Sequence, residues 1–169
     1  MAQSNPLDIL LIQGRWANEN VFDAIEPLTN EQLHQQFEMG PGSIHDTMRH
    51  VLGAMRGWSD FLAGREQRPR VETEGEKTVA QMRELHTVIA DELDVSARLG
   101  SPDDVISGER GGRTFSFPRG GVVTHVMTHG FHHRAQVANM LRQIGVETQP
   151  RSSVVDWMLL VDPVEAPTA

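Results

Sequence analysis

The stretch T-H-V-M-T-H-G-F-H-H-R-A-Q, Thr124 to Gln136, holds four of the chain's eight histidines: His125, His129, His132 and His133. It sits in a run from about Gly121 to Gln143 whose apolar residues recur at helical spacing, with Gly145 as the stop. An α-helix turns about 100° per residue. On that wheel Val122, Val126, Val137, Met140 and Ile144 form one stripe, and His129 and His133 fall inside it. His125 and His132 lie on its shoulder, and Gln136 stands between the two groups. Val123, Met127, Phe131 and Leu141 make a second apolar side at the back. A helix apolar on two sides must bury both, against neighbouring helices or against another subunit. Arg134 falls away from the histidine stripe, where it is expected to meet solvent or another subunit; receiving an anionic substrate is its other reading.

The same period continues upstream. A first helix starts at Asn5-Pro6, a capping residue before the proline favoured at a first helical position. Leu7, Leu10, Leu11, Phe22 and Ile25 are its core candidates, and Pro27 interrupts it. A short helical turn fits Thr29 to His34, and M-G-P-G-S at 39–43 breaks it. Ser43 and Asp46 resemble a capping box with Asp in the usual Glu or Gln place. The helix behind them, Ile44 to about Ala63, carries Ile44, Met48, Val51, Met55, Trp58 and Leu62 at helical spacing, and Gly64 stops it. The charged segment 64–76 is expected to be an exposed loop. A third long helix spans about Lys77 to Arg98 on Val79, Met82, Leu85, Ile89 and Leu93, with Gly100 as terminator. Residues 101–120 lose the helical period and contain the alternating T-F-S-F run; a long loop or a small hairpin fits. A short helix near Val154 to Leu160 precedes a Pro-containing tail. These elements predict an all-α fold: a four-helix bundle with short accessory helices and a long loop before the last long helix, in one domain over 1–169.

Composition narrows the chemistry. Fifteen Lys+Arg against 23 Asp+Glu give a formal charge of -8 over 169 residues. Binding a nucleic acid is driven largely by neutralising phosphates, so an acidic chain without a basic stripe is not expected to bind one. There is no cysteine, which removes disulfides, thiolate ligands and a cysteine nucleophile. No basic, apolar leader is evident in M-A-Q-S-N-P-L-D, and no segment nears the roughly 18 apolar residues of a membrane span. A soluble, cytoplasmic protein is expected.

A neutral imidazole facing an apolar core is costly unless both nitrogens find partners. His129 and His133, at i and i+4, stack one turn apart on one face, the spacing at which paired histidines grip one metal ion. Two core histidines satisfied by hydrogen bonds is the competing reading. An open catalytic site usually has three protein ligands. His50 is the best third, on the border of the stripe of the second long helix with Ala54 and Gly57 nearby. His45 points away from that pocket, His86 reads as a core or boundary histidine, and His34 as solvent-facing.

Together, S-I-H-D-T-M-R-H-V-L-G-A-M-R-G-W and the later H-V-M-T-H-G-F-H-H-R-A-Q-V-A-N-M-L-R-Q-I-G resemble the DinB/YfiT-like superfamily, from the Q-x-x-W-A-N helix to the D-W-M near the C-terminus. The resemblance implies a four-helix bundle, commonly a homodimer, with a divalent ion on three histidines: His50, His129 and His133 here. Ala135 stands where such proteins often have Gly. Related enzymes include thiol-dependent S-transferases and a maleylpyruvate isomerase. The expected function is therefore metal-dependent chemistry on a small molecule, S-transferase-like with a low-molecular-weight thiol cosubstrate, or hydrolase-like. A non-catalytic metal-containing binding or stress-response protein is the alternative. Histidine ligation suits zinc or nickel, with iron or copper also compatible. His125, His132 and His86 are the candidates for proton transfer or for supporting the ligands.

Overall fold

The computed structural model describes residues 4–163, except Gly111 and the side chain of Arg110. Those residues are mostly helical, with one two-stranded sheet. The helices are α1 (Pro6–Ile25), α2 (Asn30–His34), α3 (Ile44–Leu62), α4 (Val79–Ala97), α5 (Arg119–Gln143) and α6 (Val154–Leu160); a 3-10 turn, Val71–Thr73, lies between α3 and α4. The expected Pro-containing tail falls outside the described residues from 164 onward.

Capping chemistry sets the boundaries. Asn5 accepts from the backbone of Leu7, with Pro6 at the first helical position. Thr29 with Gln32 and Thr78 with Gln81 form full capping boxes before α2 and α4. At α3 the Ser43 hydroxyl accepts from the Asp46 N–H and donates to the Asp46 carboxylate. Asp is one methylene too short to complete the box on the backbone. Gly64, Gly100 and Gly145, just past the ends of α3, α4 and α5, take positive φ of 64°, 77° and 84°, the left-handed stop that other residues resist.

Paired side chains fix the helix directions. Arg15 meets Asp91 and Arg83 meets Asp23, so α1 and α4 run antiparallel. His45 bonds the carbonyl of Lys77 and Ser59 meets Ser96, so α3 and α4 run parallel. Arg119 at the start of α5 donates to the carbonyls of Leu62 and Ser96. That places a buried cation against the carbonyl ends of α3 and α4, where the helix dipoles favour it. One core joins the four long helices, including Phe22, Met48, Leu52, Met82, Ile89 and Met140, and Trp157 docks α6.

Because α3 and α4 are parallel, their connection must travel back along α3. It does so as a strap that is exposed as expected over 64–70 and 73–76 but is tied down along α3. Val71 is fully buried. Arg49 donates to the carbonyls of Val71, Glu72 and Gly75, Arg56 pairs with Glu74 and bonds the carbonyl of Pro69, and the buried Asp60 carboxylate takes Arg65 and Arg68.

Of the long loop or small hairpin expected before the last long helix, the structure has the hairpin, β1 (Val105–Arg110) against β2 (Arg113–Pro118), antiparallel with Ser107 opposite Ser116. Its alternation puts Phe115 and Phe117 on one face, stacked 5.9 Å apart. The back of α5 is less free than its pattern implied. Val123 and Leu141 are 5 % and 0 % exposed within the core, whereas Phe131 is 57 % exposed.

Candidate metal centre

The structure brings His50 of α3 together with His129 and His133 of α5. The Nε2 atoms of His50 and His133 each lie 3.2 Å from Nε2 of His129. The other ring nitrogens decide what those atoms can be. Nδ1 of His50 stands 3.1 Å from Oε1 of Glu72. A carboxylate only accepts, so Nδ1 carries the proton and Nε2 keeps its lone pair. Nδ1 of His133 donates to Oε1 of Gln136 at 2.8 Å, while the Gln136 amide donates to Nε2 of His132 at 3.0 Å. Nε2 of His133 is thus bare as well. His129 can offer a single proton at Nε2, too few for two acceptors. Burial, with the neighbouring imidazoles adding repulsion, holds its pKa down to about 4. Burial also lowers His133, against the Gln136 hydrogen bond.

Converging lone pairs without protons are what a cation resolves. Two nitrogens about 2.0–2.1 Å from one tetrahedral ion stand roughly 3.3 Å apart, close to the 3.2 Å seen here. The residues present fit a divalent ion. A second group, His34, His45 and Glu76, fits less well. Nε2 of His45, the atom nearest Glu76, donates to the Lys77 carbonyl at 2.8 Å and has no lone pair to give. His34 is half-buried against the His45 ring rather than free in solvent.

Glu72 was hidden from sequence reasoning, because the strap has no periodicity to orient it. Burial would raise its pKa, but its own backbone N–H, His50 and Arg70 outweigh that and hold it low. Gly53 on α3 leaves the space its carboxylate fills, and Gly40, at φ 52°, does the same for the Gln136 amide. Both supports therefore depend on a missing Cβ.

Beside the histidines opens a cavity of about 490 Å³, with Trp58 in its wall and Arg68, Arg70 and Glu109 at its rim. His125 borders it, its ring 5.2 Å from Trp58 and 5.6 Å from His129. His132 stays exposed, tied to Gln136. The glycine-rich segment 107–121 reaches the cavity through Glu109 of the hairpin, while Gly111 lies outside the described residues.

His86 and Arg134 occupy a separate polar chain. His86 is fully buried, with Nδ1 donating to Glu19 at 2.7 Å and Nε2 accepting from Asn18 at 3.2 Å. Burial lowers its pKa against the pull of Glu19. The Asn18 oxygen accepts from Arg134 at 3.0 Å. Arg134 is only 4 % exposed, which corrects the expectation of a solvent or subunit contact. Burial lowers its pKa to about 10, so it remains a cation at neutral pH. The wheel put it opposite the histidines, and that side is covered by α1.

No helix among the described residues is long and apolar enough to cross a membrane. The family model described as "DinB family" matches residues 1–156. "Protein DinB" of Bacillus subtilis (strain 168) is 24% identical over 147 residues, which cover 80% of this chain and 84% of that protein.

Proposed function

The chain belongs to the DinB family, and from that premise we propose that it holds one divalent ion on His50, His129 and His133 and acts on a small molecule. The reaction is S-transfer with a low-molecular-weight thiol, or hydrolysis. One observation carries this reading: two bare Nε2 atoms converge on a third beside an open cavity. Zinc or nickel suits three imidazoles, and iron or copper is compatible. When bound, such an ion supplies a positive charge that acidifies a water or a thiol near neutral pH.

The chain's own groups then have defined tasks. Glu72 and Gln136 hold protons on the Nδ1 atoms of His50 and His133, which keeps both rings oriented with Nε2 toward the ion. Trp58, with the Phe117 ring 6.3 Å behind it, offers an apolar wall, and Arg68 and Arg70 offer positive charge at the rim. His125 is placed to move a proton at the cavity edge. With no cysteine in the chain, any thiol comes from a cosubstrate.

The same reading takes the four long helices as a four-helix bundle in one domain, pairs two chains into a homodimer, and places the protein in the cytoplasm without nucleic-acid or membrane partners. Elemental analysis followed by a metal-restored screen tests it, with thiols plus electrophilic acceptors in one arm and esters and amides in the other. Turnover that disappears with chelation and returns with the ion supports it. Stoichiometric metal without turnover in either arm would replace it with the non-catalytic binding or stress-response reading.

A further inference from the structure

On the opposite face of the α3–α5 pair lies a second cavity, of about 430 Å³, reaching inward between α1 and α4. Met55 and Val126 line it, whereas their neighbours Ala54 and His125 line the metal cavity, so these two helices separate the spaces. Its size is that of a small-molecule pocket, about 300–1,000 Å³. Leu11, Leu93 and Met127 extend the apolar lining, and Arg134 folds back over Gly130 into it.

The charges there do not balance at Arg134. At the mouth Asp91 pairs with Arg15, and Asp94 pairs with Arg98. Arg134 has no carboxylate within ion-pair distance among the described residues. Its Nε donates to the Ser152 hydroxyl at 3.1 Å and Nη1 to Asn18 at 3.0 Å. Of the five donors of a guanidinium, one on Nη1 and both on Nη2 have no acceptor among the described residues. A buried, unpaired cation is expensive, and a guanidinium's flat fork matches a carboxylate.

We propose that this cavity binds a small organic anion with an apolar body, a carboxylate in particular, whose head group takes the free donors of Arg134. The walls hold the apolar body, and the head group supplies the missing counter-charge. The site is independent of the metal.

Calorimetry on the full chain tests this with octanoate as probe and octan-1-ol as its uncharged control. Octanoate should bind once per chain, about tenfold or more tighter than octanol, the scale of a charge-assisted hydrogen-bonded pair. Arg134→Met should remove that advantage and leave octanol unchanged, while His129→Ala should leave octanoate binding intact. Ile12→Trp at the partly exposed rim should obstruct both probes, and octanoate should shift the methyl resonances of Met127 and Leu11 in the unaltered protein. The last two measurements stand even if Arg134→Met does not fold. Equal binding of octanoate to the unaltered chain and Arg134→Met, loss of binding in His129→Ala, or unmoved Met127 and Leu11 methyls would each overturn the proposal.

Discussion

Gly53 offers a test in which stability and metal affinity move in opposite directions. A Cβ at this position of α3 would overlap Oε2 of Glu72 and stand 2.9 Å from its Cδ. Glycine to alanine inside a helix ordinarily stabilises it by about 0.5–1 kcal/mol. The obstructing atoms are the free end of a flexible side chain, so the carboxylate yields and the helix does not. Displaced, Glu72 can no longer hold the proton on Nδ1 of His50. Losing such a partner typically costs about 10–100-fold in metal affinity, or about 1.4–2.7 kcal/mol. Gly53→Ala should therefore keep or raise the melting temperature of the metal-free protein while weakening zinc by that factor, measured by competition with a chromophoric chelator at fixed pH. Glu72→Gln should weaken zinc in the same direction. The double variant should be no weaker than the single ones, because both remove one interaction. If Gly53→Ala binds zinc as tightly as the unaltered chain, or the two effects add, the role given to Glu72 is wrong.

Three further outcomes are expected. His129→Ala should abolish stoichiometric metal by elemental analysis and His34→Ala should not; full metal in the first variant would remove the three-histidine assignment. In metal-free protein, His129 titrates near 4 when folded and near 6.5 when unfolded, so the unfolded chain binds more protons between those values. Stability should then fall as pH drops from about 6.5 toward 4, with His86 and His133 acting in the same direction, and a pH-independent melting temperature across that window would contradict the burial argument. Leu141→Glu should prevent folding, since it buries a charge in the core, whereas Phe131→Glu should fold, retain metal and shift the proposed dimer to monomer in light scattering; an unaltered protein already monomeric at high micromolar concentration refutes the dimer.

What could be read from the sequence was what helical period can express. His129 and His133 lie one turn apart within a valine stripe, and His50 borders the stripe of its own helix, so their azimuths alone pointed them toward a common space. The same wheel failed for Arg134, because it gives a direction without saying which helix stands there; α1 does. Glu72 lay beyond its reach for another reason. The strap is held by distant partners, Arg49 reaching its carbonyls, and leaves no periodic trace, whereas the local pairing of Val105–Arg110 with Arg113–Pro118 showed in part as the alternating T-F-S-F run. The back of α5 was half-legible, since two apolar sides require two partners and only the fold shows that Val123 and Leu141 already have theirs.

The way the strap is fastened has a consequence for how such a protein can diverge. Arg49 grips it through the carbonyls of Val71, Glu72 and Gly75, which every amino acid possesses, so much of the segment's side-chain identity is free to drift. The histidines stay with helices locked by the core, whereas Arg68, at the mouth of the cavity, rides on an exchangeable cassette. Replacing 65–69 would then re-select what is admitted, while Arg70, which pairs with Glu72, belongs with the support of the ion. One toll remains on that freedom: the buried carboxylate of Asp60 obliges any successor sequence to return a cation to it.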